Sequence, residues 1–317
     1  MKIEKKLKGG YRPFLSEDER TLVTTSSRNT VYVYDLENRR LTHSIKTVSN
    51  VSKTMVSRDG KRLAAKNTGG VIAVISLESG EEICRSRMEK REGEPMVFLD
   101  DEGLRLLDLD WDGRTMLLDC TSGEHRILDG PSPGAAKGTP RTAYIQYDIH
   151  TDRIYKFVSD DPKSWRGRIQ VSAADPDRIA FETVWEGDRL PDHIRGICFC
   201  KTHNYYIDIV NEQFVVTDKE FKELSRADLP LGNSICSPCE IRVSPCEKYM
   251  FLDYGKQCDP RDHEAFRTAK ALSGLFALDT LEQVAGFDYD YVSDFRMFHE
   301  DERFVLATWQ GSYLGSL

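Results

Sequence analysis

The sequence predicts an all-β fold built from seven copies of one four-stranded unit, and three observations lead to this prediction. A motif of apolar residue, polar turn and apolar residue recurs along the chain every 41 to 55 residues. Further runs rich in β-branched and aromatic residues follow each copy of the motif. The two ends of the chain, taken together, supply the parts of one complete unit.

Each copy of the motif predicts a hairpin of two strands. We define an anchor residue at the start of each polar turn. The seven anchors are Ser16, Ser57, Asp100, Asp148, Cys200, Ser244 and His299. In every copy the residue before the anchor and the sixth residue after it are apolar or aromatic. The turns, such as "SEDER", "SRDGKR" and "DDEGL", have the composition of tight connections, so each copy opens with a β-hairpin.

Two more strands follow each hairpin. The third is represented by "TVYVYD" and "VIAVIS", and the fourth by "LTHSIK" and "EICRSRM". Four short antiparallel strands in roughly 40 to 55 residues are typical of a propeller blade. We therefore predict one seven-bladed β-propeller domain spanning residues 1–317.

The ends of the chain predict how the ring closes. The seventh copy ends after its third strand, "SYLGSL", and so lacks the last one. The N-terminal segment "KIEKKLK" has Ile3 and Leu7 at even spacing and can supply that strand by pairing with the end of the chain. Its lysines would protect the outer edge against pairing with other molecules.

These repeats resemble the WD-repeat propellers and the related lactonase-like propellers over essentially the whole chain. WD-repeat blades end their third strand in Trp-Asp. The matching pairs here are Tyr34-Asp35, Leu118-Asp119, Thr217-Asp218 and Leu278-Asp279. The aspartate is kept in these four copies only, the tryptophan is not kept, and the Gly-His pair of WD-repeat blades is absent. The resemblance implies that loops joining successive blades share one face with loops joining the second strand to the third.

Composition limits the possible partners and location. The chain has a net charge of −8 and a pI near 5.5, which argues against a nucleic-acid partner because such proteins need a basic surface. No apolar run is long enough to cross a bilayer and no signal peptide precedes the first blade, so we expect a cytoplasmic monomer without membrane contact. The eight cysteines are then expected to be reduced thiols. No cofactor-binding fingerprint is found, and we expect no cofactor.

Three long insertions are predicted on the loop face. They span Asp129–Arg141, Trp185–His193 and Gly255–Gly274. The last predicts a short helix near 259–273, because Asp259 can cap its start and Pro260 suits the first helical position. Alternatively, this insertion only covers the edge of a blade.

Cysteines near the third insertion offer a possible metal site. Cys236, Cys239, Cys258 and His263 could form a tetrahedral zinc site that begins with a C-x-x-C pair. The alternative is that these thiols are small apolar residues of the core.

Basic residues near the starts of the innermost strands form a candidate ligand site. They are Arg141, Arg195, Arg242 and Arg296, with His193 close by. Guanidinium groups from several blades could hold a carboxylate or phosphate at the mouth of the central channel. Alternatively, each arginine pairs with a neighbouring acid, Arg296 with Asp294 and Arg242 with Glu240.

Two functions are compatible with these observations. In the first, the chain is a non-enzymatic scaffold whose loop face binds a protein or peptide, with Trp185 and Phe266 as contact residues of the type enriched at interfaces. In the second, the chain is a lactonase-like hydrolase or isomerase that binds an anionic small molecule at the channel mouth, with His193 or Glu240 as general base. The sequence favours the scaffold, and leaves open whether the chain is an enzyme.

Overall fold

The structure is a computed structural model that describes most of the chain. The described residues are 2–26, 28–87, 92–110, 112–132, 135–136, 139–161, 166–188, 197–208, 211, 213–229, 240–256, 264, 271–287, 292–299, 303–308 and 311–317. The chain divides into two compact units, one formed by Arg12–Asp192 and the other by Met1–Tyr11 with His193–Leu317.

The strands pair in chain order into four-stranded antiparallel sheets, which we number as blades 1 to 7. The chain opens with β1 (Lys2–Leu7). Blade 1 contains β2 (Tyr11–Leu15), β3 (Thr21–Thr25), β4 (Thr30–Asp35) and β5 (Arg40–Lys46). Blade 2 contains β6 (Val51–Val56), β7 (Arg62–Asn67), β8 (Val71–Ser76) and β9 (Glu82–Arg87). Blade 3 contains β10 (Glu92–Phe98), β11 (Arg105–Asp110), β12 (Thr115–Asp119) and β13 (His125–Asp129). Blade 4 contains β14 (Arg141–Asp148), β15 (Arg153–Asp161), β16 (Arg166–Ala173) and β17 (Glu182–Asp188).

The second unit contains the remaining sheets. Blade 5 contains β18 (Cys198–Phe199), β19 (Asn204–Asp208), β20 (Gln213–Thr217) and β21 (Glu223–Asp228). Blade 6 contains β22 (Glu240–Val243), β23 (Tyr249–Lys256), β24 (Ala271–Ala277) and β25 (Gln283–Phe287). Blade 7 contains β26 (Val292–Met297), β27 (Arg303–Thr308), β28 (Gly311–Ser316) and, as its fourth strand, β1. These sheets confirm the predicted seven copies of a four-stranded unit.

The N-terminal strand completes the last blade, as predicted. β1 runs antiparallel to β28, with Leu7 opposite Ser312 and Lys2 opposite Ser316. The approach of the strands is close at Gly315, where a Cβ atom would lie 2.7 Å from the main-chain oxygen of Lys2. Glycine at this position therefore lets the first and last strands of the chain join.

The anchor residues of the sequence motif hold the hairpin turns through their side chains. Ser16, Ser57 and Ser244 each accept a main-chain N–H from the residue five positions later, at 2.9 to 3.0 Å. Asp100 accepts the N–H groups of the fourth and fifth residues after it, and Asp148 that of the second. Short polar side chains recur at this position because they satisfy donors that the turn leaves without a strand partner.

A lysine and an aspartate are fully buried between blades 2 and 3. Lys66 Nζ lies 2.5 Å from Asp108 Oδ1 and also donates to the main-chain oxygen of Leu109. The other carboxylate oxygen, Asp108 Oδ2, is buried and has no hydrogen-bond partner among the described residues. Burial raises the pKa of Asp108, and the ammonium of Lys66 opposes that change.

The third insertion differs from its prediction at its end. Residues 271–273, which were assigned to the helix, lie in β24, because Ser273 pairs with Asp253 and Ala271 with Lys256 of β23. Residues 257–263 and 265–270 lie outside the described residues, so the helical insertion itself stays a prediction.

Candidate functional site

Several of the predicted site residues lie outside the described part of the chain. They are His193, Arg195, Cys236, Cys239, Cys258, His263 and Phe266. The zinc site and the proposed histidine base therefore stay predictions. Within the described residues, no group of three or more histidine, cysteine or acidic side chains is arranged to hold a metal ion.

Trp185 lies in a strand, and its assignment to a loop was wrong. It belongs to β17, the outer strand of blade 4, where it stands opposite Ile169 of β16. Its ring lies over Gly187, so closely that a Cβ atom at that glycine would be 2.7 Å from the ring. The side chain is half-buried. The pairing with β16 extends the strand to Asp188, into the segment predicted to be an insertion.

Two of the predicted arginines share one carboxylate in the unit that contains blades 5 to 7. Arg242 Nε donates to Asp294 Oδ1 at 3.1 Å. Arg296 Nε donates to Asp294 Oδ2 at 3.1 Å, and Arg296 Nη2 lies 3.0 Å from the same oxygen. We call these three residues the arginine pair site. Arg141, in the other unit, opens β14 and is exposed.

The register of the first strands places these side chains together. In β22 the side chain of Ile241 is buried in the core of blades 5 and 6, so Arg242 points to the opposite face. In β26 the pairing with β27 shifts by one residue between Val292 and Asp294. A bulge of this kind redirects a side chain. Asp294 is only 3 % exposed, and its Oδ1 also accepts the N–H of Phe295 at 2.8 Å.

The carboxylate of Asp294 bonds both arginines of the site. The predicted pairing of Arg296 with Asp294 is confirmed. Arg242 also bonds Asp294, and its predicted pairing with Glu240 stays a prediction because the Glu240 side chain lies outside the described residues. One charge of Asp294 is therefore divided between two guanidinium groups. The Arg296 side chain is 39 % exposed, and its Nη1 has no hydrogen-bond partner among the described residues. A planar guanidinium with an exposed edge suits a carboxylate or phosphate.

A cysteine beside the site is held in the neutral form. The Sγ of Cys198 donates to the main-chain oxygen of Ile241 at 3.3 Å. Burial raises the pKa of Cys198, and the opposing effect of Arg242 and Arg296 is too small to reverse this. The thiol is therefore a neutral group of the packing and not a thiolate nucleophile.

The hairpin turns of blades 1 to 4 meet at a second charged cluster, which the sequence analysis missed. Arg58 lies 3.0 Å from Asp101, 2.8 Å from Asp152 and 3.8 Å from Glu17, and its guanidinium stacks on the ring of Tyr147. Burial raises the pKa of Glu17, with Arg58 opposing. Glu17, Arg58 and Asp101 each directly follow an anchor residue. This shared position in the repeat is the sequence signal that could have predicted the cluster.

Blades 5 and 6 are joined by a comparable cluster around Glu247. Its carboxylate accepts the N–H and hydroxyl of Thr202 at 3.1 and 2.7 Å, the hydroxyl of Tyr205 at 2.7 Å and Nδ1 of His203 at 3.2 Å. Burial acts to raise the pKa of Glu247, but these donors outweigh it and lower the value to about 2. Burial and this carboxylate raise the pKa of Tyr205.

Comparison with solved structures identifies the fold. The β-propeller domain of Cps50 (Swd1) from Myceliophteria thermophila matches with a TM-score of 0.74 at 12 % identity, covering 99 % of each chain. The chain is a seven-bladed β-propeller. The hydrazine synthase of Kuenenia stuttgartiensis matches this propeller with a TM-score of 0.66 at 12 % identity, covering 99 % of this chain and 97 % of the other. At such identities the similarity shows the fold alone.

Neither a family model nor a curated protein matches the sequence of this propeller. Among the described residues, no helix has the length and apolar character that a bilayer crossing requires.

Proposed function

We propose that this propeller is a non-enzymatic scaffold that binds a protein or peptide in the cytoplasm. The observation that carries the proposal is that charged clusters link neighbouring blades to one another. The clusters around Arg58, Glu247 and Asp294 each join the first strands or hairpins of neighbouring blades through fixed hydrogen bonds. Such cross-links make a rigid frame, and a rigid frame reduces the entropy lost on binding.

The pKa directions in these clusters support binding over catalysis. A general base works best when its pKa lies near the working pH. The pKa of Glu247 is lowered to about 2, while those of Cys198 and Tyr205 are raised. All three shifts move a potential base or nucleophile away from the state in which it could take a proton or attack a substrate at neutral pH.

The partner surface that we propose includes Trp185. It is a half-buried aromatic side chain on the outer strand of its blade, and tryptophan is enriched among residues that dominate binding energy. Phe266 stays a predicted contact of the same kind.

A selection from displayed peptides, run in parallel with a ligand screen, tests the proposal. The purified chain is immobilised and exposed to a peptide library, and the same preparation is screened for thermal stabilisation and turnover with sugar lactones, phosphosugars and organic acids. The scaffold hypothesis predicts enrichment of related peptides that compete with one another in solution, without turnover. Turnover of a small molecule together with no enriched peptide would replace it with the enzyme hypothesis.

A further inference from the structure

In the arginine pair site, two guanidinium groups bond one carboxylate. Arg242 engages one oxygen of Asp294 and Arg296 engages the other, so a single carboxylate faces two guanidinium groups. Asp294 is almost completely buried and is also bonded to the main chain. Its position between the two guanidinium groups is therefore fixed.

Arg296 is oriented for contact with a ligand. Its Nε and Nη2 both contact Oδ2 of Asp294, and these two contacts fix the plane of the guanidinium. The remaining nitrogen, Nη1, has no partner among the described residues, and the side chain is 39 % exposed. A guanidinium held in one plane loses little entropy when it binds a planar anion.

We propose that Arg296 binds a carboxylate of the partner, with Asp294 and Arg242 as positioning residues, so that the recognised segment is acidic. The inference rests on the proposed binding function and names the chemistry of the partner. A glutamate or aspartate side chain and a chain-terminal carboxylate share this chemistry. A phosphate group could bind the same edge of the Arg296 guanidinium, and the experiment below distinguishes phosphate binding from carboxylate binding.

Fluorescence polarisation with defined peptides tests the inference. The probes are a fluorescein-labelled peptide of alternating glutamate and glycine with an amidated C-terminus, its glutamine counterpart, a glutamine counterpart with a free C-terminus and a phosphoserine counterpart. The first peptide should bind and the amidated glutamine peptide should not. The other two show whether a terminal carboxylate or a phosphate is preferred, and a preference for phosphoserine over both carboxylate peptides would overturn the carboxylate assignment.

Substitutions locate the bound peptide. Arg296→Gln should raise the dissociation constant of the glutamate peptide at least tenfold, because a hydrogen bond between charged groups contributes about a factor of ten or more to affinity. Arg296→Lys should recover part of the loss, since it keeps the charge and lacks the fork. Arg226→Gln is the matched control, because Arg226 is bonded to Asp208 and Glu223 on an outer strand of the same unit. Thermal melting of each variant shows that it is folded.

The failures of the two proposals are distinguishable. Equal binding by the original chain and Arg296→Gln, or no binding of any acidic peptide, would overturn the carboxylate site. The displayed library could still yield apolar or basic peptides, in which case the scaffold function would stand without this site. A folded Asp294→Ala variant should bind the glutamate peptide more weakly than the original chain, because the guanidinium of Arg296 is no longer held in one plane. Equal or tighter binding would contradict the positioning role of Asp294.

Discussion

Removal of Lys66 should be among the most destabilising single substitutions in blades 1 to 4. The Lys66 side chain is 0 % exposed and that of Asp108 is 1 % exposed, so Lys66→Met leaves a carboxylate buried without its cation. Breaking one side of a buried ion pair costs about 3 to 5 kcal/mol of unfolding free energy. The cost should be at the upper end, because Asp108 Oδ2 already has no partner among the described residues and Leu109 also loses its donor.

The pH dependence of the variant separates a buried charge from a simple packing defect. In Lys66→Met, burial keeps the pKa of folded Asp108 above its unfolded value, with no cation to oppose it. A group of this kind contributes stability that is present at low pH and is lost as the pH rises through the folded pKa. Relative to the original chain, the variant should therefore lose up to about 1.4 kcal/mol of unfolding free energy per pH unit as the pH rises above the unfolded pKa of an aspartate, about 4.

Equilibrium urea unfolding followed by tryptophan fluorescence measures these free energies. Lys66→Met combined with Asp108→Leu should come within about 2 kcal/mol of the original chain, because an apolar pair replaces the ionic one. Lys61→Met is the control, since Lys61 makes a surface ion pair and should cost less than about 0.5 kcal/mol. A cost below about 1 kcal/mol for Lys66→Met, or costs that simply add in the double variant, would refute the reasoning.

Three further predictions address the turns and the join between the chain ends. Because the pKa of Glu247 is lowered to about 2, its carboxylate contributes stability above pH 4.5 that disappears as the pH falls toward 2. In urea titrations, the difference in unfolding free energy between the original chain and Glu247→Gln should therefore shrink by about 1 to 2 kcal/mol across that range. An equal pH dependence in both proteins would contradict this. Gly60→Ala should cost about 1 kcal/mol, since φ is +72° and nothing lies within 4 Å of the new Cβ, whereas Gly113→Ala should cost more than about 2 kcal/mol because its Cβ would lie 2.6 Å from a main-chain oxygen. Thermal melting gives the ranking, and a reversed order would contradict the geometry. Deletion of residues 2–7 should expose β28 as an open edge and cause aggregation in light scattering, which a synthetic peptide of that segment should reduce; a deleted chain that stays monomeric and equally stable would contradict the role of β1.

The elements predicted correctly from the sequence are those whose cause is local. A serine or aspartate anchor accepts hydrogen bonds from residues two to five positions away, so the turn is encoded where it forms. The alternation of Ile3 and Leu7 likewise identified β1 as a strand, and the missing fourth strand of the seventh copy identified its partner. Repetition strengthened both predictions, because each copy confirmed the others.

The elements that were missed depend on pairing between distant segments. The sequence analysis places Trp185 at the start of a loop insertion, but its pairing with Ile169 makes it part of a strand. Residues 271–273 continue a helical pattern from the preceding insertion, yet Ser273 pairs with Asp253 of β23. In both cases the tertiary partner outweighed local propensity, as it commonly does for strands.

The candidate site was predicted in part for the same reason. The arginines were selected because they lie near the starts of first strands, which the repeat defines. That Arg242 reaches Asp294, a residue 52 positions away, depends on the register of two sheets and on the bulge in β26. A sequence repeat gives the spacing of blades but not a one-residue shift within one of them.

The arginine pair site lies in a protein of net charge −8, and this combination gives its binding a distinctive salt dependence. The whole protein repels an acidic peptide over distances longer than the Debye length, which is about 8 Å at 0.15 M salt. Arg296 attracts a carboxylate only over contact distances, where partial burial reduces screening. Added salt should therefore first strengthen binding of the glutamate peptide, by suppressing the long-range repulsion, and weaken it only at higher concentration. An ordinary basic patch would lose affinity steadily from the lowest salt, so a monotonic decline in polarisation titrations would place the peptide on surface lysines such as those of β1.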